Sequence, residues 1–384
     1  MVAIPHLPMH LQPRRRRLPL IVILIISLVF VLGFRLCSGA GRLSGPWRIA
    51  PPSLSLSVPP RGRRITKASM LYGPRNAIYE RALQSHARHA ERWGYGMEVL
   101  RHEIAEGYWN KPSYLLALVI RELGRAVGER VEWFMWVDAD SIIINPLIPL
   151  ELFLPPDSSS PSSRGSSGPG PGPLDTIHLV ATKDHKGLNT GIFFIRVHEW
   201  SVRFLIESLA YPTYNPSTDL GVQVDQSAME RVLNGSAYRG NVTYLPRPWI
   251  NAYEWKHAFE GRKGDMLVHF PGLDGERWAH MRRWLDVVEV GGGGWSVPVE
   301  QTGFGDGARV FWERVERGRR IVERFGRGSG SGTGEGRKTG KKGKEREMEM
   351  EMAVEELKHV LYEQPYQGEL LQQRIEAWRR ISAS

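Results

Sequence analysis

Cysteine is nearly absent from this chain of 384 residues, which contains a single one, Cys37. A lone cysteine excludes an intrachain disulfide, and a domain of this size does not need one to hold a hydrophobic core. Charge is absent from residues 18–34, an apolar run that directly follows Arg14–Arg17. A charge-free run of this length behind a basic cluster predicts a segment that enters a membrane.

Two interpretations of the apolar run are open. A cleaved signal peptide has a basic start, an apolar middle and small residues like those near Ser38, but its apolar part is usually shorter. The length favours an uncleaved signal anchor, whose arginines stay in the cytosol by the positive-inside rule. A short span suits the thinner membranes of the early secretory pathway. We therefore expect a single-pass type II Golgi membrane protein with a luminal catalytic domain, which the sequons at Asn234 and Asn241 would suit.

The net charge of +10 invites a nucleic-acid interpretation. The excess lies in Arg14–Arg17 and in a basic stretch at residues 337–346, and neither has aromatic residues interleaved. No recognisable nucleic-acid-binding module accompanies them. We expect no nucleic-acid partner.

Changes in composition along the chain predict its organisation. Residues 1–17 form a basic tail, 18–34 the anchor, 35–64 a flexible stem, 65–290 the catalytic domain and 291–384 a Gly/Lys-rich linker with a charged helical tail. Within the catalytic domain, residues 155–173 form a low-complexity insert. Strands are predicted at residues 65–71, 97–100, 132–137, 177–182, 191–197 and 266–270. Helices are predicted at 78–93, 112–123, 200–209, from about 225, and at 310–325. Strands alternating with helices predict an α/β fold on a mostly parallel sheet.

Two carboxylates, Asp138 and Asp140, follow the apolar strand predicted at residues 132–137. Ligands bind at the C-terminal ends of the strands in open α/β sheets, and residues i and i+2 of an extended chain point the same way. The pair could therefore share one hard cation whose remaining positions go to a diphosphate. A helix cap or a solvated turn is the alternative. A haloacid-dehalogenase-like phosphatase also has Asp-x-Asp after a strand, but Ile142 stands where it usually has Thr or Val, and its downstream motifs are missing.

Six motifs in order resemble glycosyltransferase family 34, the galactosyl/mannosyltransferases of fungi and plants. They are Ser85–Tyr95, Trp109–Lys111, Glu132–Asn145, Leu188–Arg196, Asp225–Ser227 and His269–Gly272. The resemblance covers about residues 65–286. It implies a GT-A-type, Rossmann-like nucleotide-sugar-binding domain with a Mn²⁺ cofactor and a retaining reaction. The chain departs from the family after His269–Gly272, where the family often has a cysteine and then a basic residue. Here the nearest basic residue is Arg277, which makes a phosphate contact there doubtful.

The resemblance also implies roles for individual residues. Asp138, Asp140 and His269 would hold the metal, with Asp138 also near the ribose. Asp225 and Gln226 would be catalytic at the reacting face of the sugar. Lys111, Asn189 and Gly191 would bind donor or acceptor. Trp249 is a further candidate for donor or acceptor binding, from its aromatic setting and not from the resemblance. Structural alternatives stay open for several: a core histidine at His269, a helix N-cap at Asp225, a surface charge at Lys111 and a plain strand glycine at Gly191. Trp249, Tyr253 and Trp255 form either an acceptor platform or core packing.

The expected function is transfer of galactose or mannose from UDP-galactose or GDP-mannose to a mannose-containing glycan. The alternative class is a non-catalytic subunit of a Golgi mannosyltransferase complex, which would bind its partners through the C-terminal helices. Survival of Asp138, Asp140, Asp225 and His269 favours the enzyme.

Overall fold

The computed structural model describes residues 65–156, 172–291 and 294–327. Its strands are β1 (Ile65–Met70), β2 (Gly96–Leu100), β3 (Trp133–Val137), β4 (Ser141–Ile143), β5 (Leu179–Asp184), β6 (Gly187–Arg196), β7 (Val242–Tyr244) and β8 (Leu267–His269). Its helices are α1 (Ala77–Trp93), α2 (Asn110–Leu123), α3 (Glu199–Tyr214), α4 (Val224–Leu233), α5 (Arg247–Ile250), α6 (Arg277–Glu289) and α7 (Phe304–Arg327). The predicted anchor, the stem up to residue 64, most of the insert and the tail beyond residue 327 lie outside the described residues. Among the helices described, none is both long and apolar enough for a membrane span.

The main sheet of the described residues has six strands in the order β2-β1-β3-β6-β5-β7. Parallel pairings join β1 to β2, β1 to β3 and β5 to β7, whereas β6 is antiparallel to both of its neighbours, β3 and β5. The sheet is therefore mostly parallel, and the predicted α/β class is confirmed. The antiparallel β6 arises because β5 and β6 form a hairpin that turns at His185 and Lys186, with Gly187 at φ 110°.

A second, two-stranded sheet pairs β4 with β8 in antiparallel register, which sets Ser141 opposite His269. Sequence patterns predict β8 but not β4, because three residues are too few to show a period. This small sheet packs on α1 and α6 through Ile142, Val268 and Met281. It brings the segment after β3 to the segment after β8.

The central strand β3 is buried on both faces, as expected for a strand between two helical layers. Phe134 and Trp136 belong to the core cluster that includes Leu115 of α2 and Phe204 of α3. Alternate residues Trp133, Met135 and Val137 belong to the cluster on the other face. This double burial explains the unbroken apolar run ahead of Asp138.

The folded unit continues past the boundary predicted at residue 290. Phe304 and Phe311 of α7 are buried in the same cluster as β3, and the indole of Trp312 donates to the Leu152 carbonyl at 3.2 Å. Gly291–Gly294 interrupts the helical pattern, which suggested a domain end. The apolar face of α7 nevertheless packs on the catalytic domain.

Two buried histidines give the domain a pH-dependent stability. His89 donates from Nε2 to the Ile148 carbonyl at 2.8 Å, and His178 stacks on His198 with ring centroids 4.0 Å apart. Burial, reinforced by neighbouring positive charge, lowers the pKa of His89 to about 2 and that of His178 to about 3. Each side chain titrates near 6.5 once unfolded. Below pH 6.5 the unfolded chain therefore binds more protons than the folded one, so the free energy of unfolding decreases as the pH decreases.

We expect the free energy of unfolding to fall between pH 7.5 and pH 5.5 by about 1 kcal/mol for each of these histidines. Chemical denaturation of wild type and His89→Gln at the two pH values measures this, since glutamine keeps a donor but does not titrate. The variant should lose about 1 kcal/mol less than wild type over this range. His102→Gln, at an exposed histidine, should follow wild type. An equal decrease in the free energy of unfolding for wild type and His89→Gln would contradict a contribution of His89 to the pH dependence.

Candidate active site

Asp138 and Asp140 lie immediately beyond the C-terminal end of β3. The β3–β6 ladder continues past Val137, since the Asp138 amide donates to the Gly191 carbonyl at 2.9 Å. The Ser141 hydroxyl donates to the Asp138 carbonyl at 2.6 Å and closes the turn that leads into β4. The two carboxylates are therefore carried on a tight, hydrogen-bonded turn and do not cap a helix.

His269 reaches this turn through the β4–β8 pairing. The amide of Phe270 donates to the Asp140 carbonyl at 3.0 Å, and His269 Nε2 lies 3.3 Å from Asp140 Oδ1. His269 is 3% exposed, yet it is not a core histidine, because one ring nitrogen faces a carboxylate. Asp138, Asp140 and His269 each offer one ligand atom, and these atoms lie within 4.8 Å of one another.

This donor set fits a divalent cation. Ligands that share one hard cation at about 2.0–2.6 Å lie at most about 5 Å apart. Two carboxylates with one imidazole suit manganese and its neighbours in the first transition series. Asp138 Oδ1 already accepts from the Trp136 indole at 2.7 Å, which leaves its second oxygen for a cation.

Gly191 is required at its position by the His269 ring. A Cβ built on Gly191 would lie 2.4 Å from His269 Cε1 and 3.1 Å from Nε2. Any side chain at residue 191 therefore pushes the imidazole away from Asp140. Gly191 is thus needed because the His269 ring packs directly against its Cα. This reason differs from both predicted roles, a pocket residue and an ordinary strand glycine.

Lys111 lies between two carboxylates and is 4% exposed, so the surface-charge alternative is wrong. Its Nζ is 3.3 Å from Asp138 Oδ1 and 3.4 Å from Asp225 Oδ2, and it donates to the Thr190 carbonyl at 3.0 Å. Burial alone would lower the pKa of Lys111, but Asp138 and Asp225 outweigh burial and raise it. The side chain is therefore a buried ammonium that links the cluster of Asp138, Asp140 and His269 to Asp225.

Asp225 lies in the first turn of α4 and is 1% exposed. The N-cap alternative is wrong, because Gln223 is the N-cap residue and Asp225 points to Lys111. The neighbouring Gln226 accepts from the Thr190 amide at 3.0 Å through Oε1, and its Nε2 donates to Gln223. The start of α4 is thus tied to β6 beside the cluster.

Arg277, the first residue of α6, also reaches the cluster. Its Nη1 lies 3.5 Å from Asp140 Oδ2 and donates to the Tyr79 hydroxyl at 3.2 Å. Leu273–Glu276, which separate Arg277 from the His269–Gly272 motif, form a short turn that returns the chain towards Asp140. Arg277 thus lies beside the Asp140 carboxylate, although its distance in sequence from His269–Gly272 made a phosphate contact doubtful.

The three aromatic residues separate into two groups. Trp249 packs on Phe153, Phe304 and Phe311, so its side chain belongs to the core rather than to a binding surface. Tyr253 instead meets the His269 ring at 5.6 Å and donates to Asp184 at 2.9 Å.

Trp255 stands edge-on to Tyr253, with ring centroids 5.2 Å apart, and is 39% exposed. Tyr253 and Trp255 thus form the aromatic pair next to the cluster.

Two buried amides complete the surroundings. Asn189 Oδ1 accepts from the Gly191 amide at 3.0 Å, and Asn251 contacts both Asn189 and His269 at 2.8 Å. Sequence reasoning proposed Asn189 as a pocket residue and did not single out Asn251. Asn251 lies between Trp249 and Tyr253, and an isolated polar residue there carries no local signal.

Sequence comparison finds relatives of one kind. The galactosyl transferase GMA12/MNN10 family model matches residues 66–277. A probable alpha-1,6-mannosyltransferase, MNN10 of Saccharomyces cerevisiae, is 24% identical over 245 residues, which are 56% of this chain and 60% of that protein. An uncharacterized alpha-1,2-galactosyltransferase of Schizosaccharomyces pombe is 28% identical over 221 residues, 52% of this chain and 57% of the relative. The matches thus span less than two thirds of these relatives' own length.

Two solved structures are similar over most of their own length. A glycosyltransferase involved in glycosylation of the major capsid of PBCV-1 has a TM-score of 0.44 at 15% identity and covers 57% of this chain and 99% of its own. The galactosyltransferase LgtC, in complex with donor and acceptor sugar analogs, has a TM-score of 0.38 at 13% identity, with coverages of 62% and 99%.

Proposed function

The chain belongs to the galactosyl transferase GMA12/MNN10 family, and we propose that it is a metal-dependent, retaining hexosyltransferase. The observation that carries the proposal is the convergence of Asp138, Asp140 and His269 within 4.8 Å, beside the cations Lys111 and Arg277. Apolar side chains would stabilise the fold at least as well as two carboxylates packed against two cations and an imidazole. The charged groups are therefore better explained by a function, the binding of a cation and a diphosphate.

The donor is UDP-galactose or GDP-mannose in this proposal. Asp138, Asp140 and His269 would hold a divalent cation such as Mn²⁺, which would supply positive charge to neutralise the departing nucleoside diphosphate. Arg277 stands on the Asp140 side of the cluster and supplies a fixed positive charge for phosphate oxygens. Lys111 is on the other side and is held by Asp138 and Asp225. The positive charge of Lys111 therefore lies between the site of the leaving diphosphate and the site of the sugar.

The sugar and acceptor lie on the Asp225 side of Lys111. Asp225 Oδ2 is buried, has no hydrogen-bond partner among the described residues and lies 3.4 Å from the Lys111 ammonium. A hexose that reaches this carboxylate on binding would find an oxygen that can accept from its hydroxyl or approach its anomeric carbon. Two routes retain configuration: attack by a carboxylate to give a covalent intermediate, or attack by the acceptor from the leaving-group side. Trp255, which is 39% exposed and packs on the buried Tyr253, presents an aromatic ring on which an acceptor sugar can stack.

The donor is tested by incubating the chain with Mn²⁺ and UDP-galactose, GDP-mannose, UDP-glucose or UDP-xylose, with and without an α-mannoside acceptor. Release of the nucleoside diphosphate is followed. We expect turnover of UDP-galactose or GDP-mannose, stimulated by the acceptor and lost on chelation. A folded chain that neither binds nor turns over any donor would leave the non-catalytic subunit as the better account.

The location that we propose is the Golgi lumen, with residues 18–34 as anchor, and the two sequons make it testable. Asn234 follows α4 in an exposed turn. The side-chain amide of Asn241 donates to the Thr176 carbonyl at 2.7 Å. Thr243, the third residue of this sequon, lies in β7 and is 0% exposed. A folded domain therefore has room for a glycan on Asn234 and not on Asn241.

We expect one N-glycan when the chain is expressed in yeast. Endoglycosidase H should increase the gel mobility of wild type and of Asn241→Gln, and should leave Asn234→Gln unchanged. An unshifted wild type would contradict the luminal location. A shift that persists in Asn234→Gln would contradict the choice between the two sequons.

A further inference from the structure

Both ring nitrogens of His269 face an oxygen that can accept a hydrogen bond, and Nδ1 makes the shorter contact. Nδ1 lies 2.8 Å from Asn251 Oδ1, and Nε2 lies 3.3 Å from Asp140 Oδ1. A neutral imidazole carries one proton, and only the nitrogen without it can bind a cation. The position of that proton therefore decides whether Nε2 is a ligand.

The chain of hydrogen bonds that fixes the proton begins at Asn189. The Gly191 backbone amide can only donate, so the Asn189 atom 3.0 Å from it must be Oδ1. At the other end of the same side chain, Nδ2 donates to the Asp184 carboxylate at 3.2 Å. Two groups of fixed character thus orient Asn189 in the same way.

Asn189 in turn orients Asn251. Its Oδ1 lies 2.8 Å from Asn251 and accepts, so the facing atom of Asn251 is the donor Nδ2. The same Nδ2 is 2.9 Å from Thr182 Oγ1. The oxygen of Asn251 is therefore the atom that faces His269 Nδ1. Asn251 is 0% exposed, so water does not compete for these bonds.

We propose that Asn251 is a positioning residue that holds the proton of His269 on Nδ1 and leaves Nε2 free to bind the cation. The inference rests on the proposed cation site. The Gly191 amide, Asn189 and Asn251 form a relay that ends on the imidazole, the kind of outer-shell bond that fixes a ligand tautomer. It also gives Gly191 a second task besides leaving room for the ring.

The proton position is read directly by nitrogen NMR of the ¹⁵N-histidine-labelled, metal-free chain at alkaline pH. His269→Gln identifies the His269 signals. We expect wild type to show the Nδ1–H tautomer. Asn251→Leu, which removes the acceptor, should shift His269 towards the Nε2–H tautomer. Asn251→Asp keeps an acceptor for Nδ1–H and should retain the wild-type tautomer.

Manganese affinity, followed by electron paramagnetic resonance on the same samples, gives the second measurement. Loss of an outer-shell partner typically weakens metal binding by about 10- to 100-fold, which we expect for Asn251→Leu. Asn251→Asp should bind within a few-fold of wild type. A merely structural role for Asn251 would weaken binding in both variants and leave the tautomer unchanged.

Either of two results would overturn the inference: an Nε2–H tautomer in wild type, or an unchanged tautomer in a folded Asn251→Leu. The wild-type spectrum decides even where the leucine variant fails to fold. A failure of the proposed function is distinguishable from a failure of this inference. A chain that shows the Nδ1–H tautomer but binds no manganese would support the relay and contradict the cation site.

Discussion

Replacing Asp140 by asparagine is expected to lower kcat for sugar transfer by about 100- to 1,000-fold or more while leaving the domain folded. Asparagine has nearly the shape of aspartate but no charge. Asp140 faces His269 Nε2 at 3.3 Å through Oδ1 and Arg277 at 3.5 Å through Oδ2. The substitution therefore removes a charged ligand and the counter-charge of Arg277 at once. Initial rates of nucleoside diphosphate release with saturating Mn²⁺ measure the effect.

The control for Asp140→Asn is Asp306→Asn, which changes an aspartate that is 89% exposed on α7. It should transfer sugar at the wild-type rate. Circular dichroism should show the same fold for all three proteins. Activity of Asp140→Asn within a few-fold of wild type would contradict a role of this carboxylate in holding the cation.

Replacing Lys111 by methionine is expected to lower the free energy of unfolding by about 3 kcal/mol or more. The substitution leaves two carboxylates at the buried site, Asp138 and Asp225, without the ammonium that lies 3.3–3.4 Å from each. It also leaves the Thr190 carbonyl without its donor. Breaking a buried ion pair from one side costs more than the pair itself contributes, because a charge stays behind. Urea denaturation in excess chelator measures the effect without interference from bound metal.

A double-substitution cycle distinguishes this cause from simple loss of packing. Lys111→Met combined with Asp225→Asn should be less destabilised than the sum of the single changes, since the stranded carboxylate is gone. Lys186→Met, at an exposed lysine, should have almost no effect. Additive single and double effects, or a Lys111→Met variant within about 0.5 kcal/mol of wild type, would contradict the buried-charge account.

The fold could be predicted from sequence wherever one element carries a strong local signal. The apolar run of β3 predicts a doubly buried strand, and the helical spacing before Gly94 predicts α1, which ends there with Gly94 in the left-handed region at φ 71°. The three-residue strands β4 and β7 have no such signal. Helix α7 was predicted, but its place in the core was not, because the glycines before it looked like a boundary.

The candidate site divides in the same way. Asp138 and Asp140 were identifiable because they follow directly on an apolar strand. Their closeness to His269 depends on the β4–β8 pairing, which joins distant parts of the chain and has no local pattern. Arg277 reaches Asp140 because a short turn redirects the chain after β8. Spacing along the sequence could not show that turn, and therefore gave no sign that Arg277 lies next to Asp140.

We propose that Asp138, Asp140 and His269 hold one divalent cation for a nucleotide-sugar donor. Titration of Mn²⁺ into the metal-free chain, followed by electron paramagnetic resonance, tests it most directly when repeated with UDP or GDP present. We expect one Mn²⁺ per chain, bound more tightly with the nucleotide of the true donor and lost in Asp140→Asn. A chain that turns over its donor in excess chelator, or an Asp140→Asn variant that binds Mn²⁺ as wild type does, would contradict it.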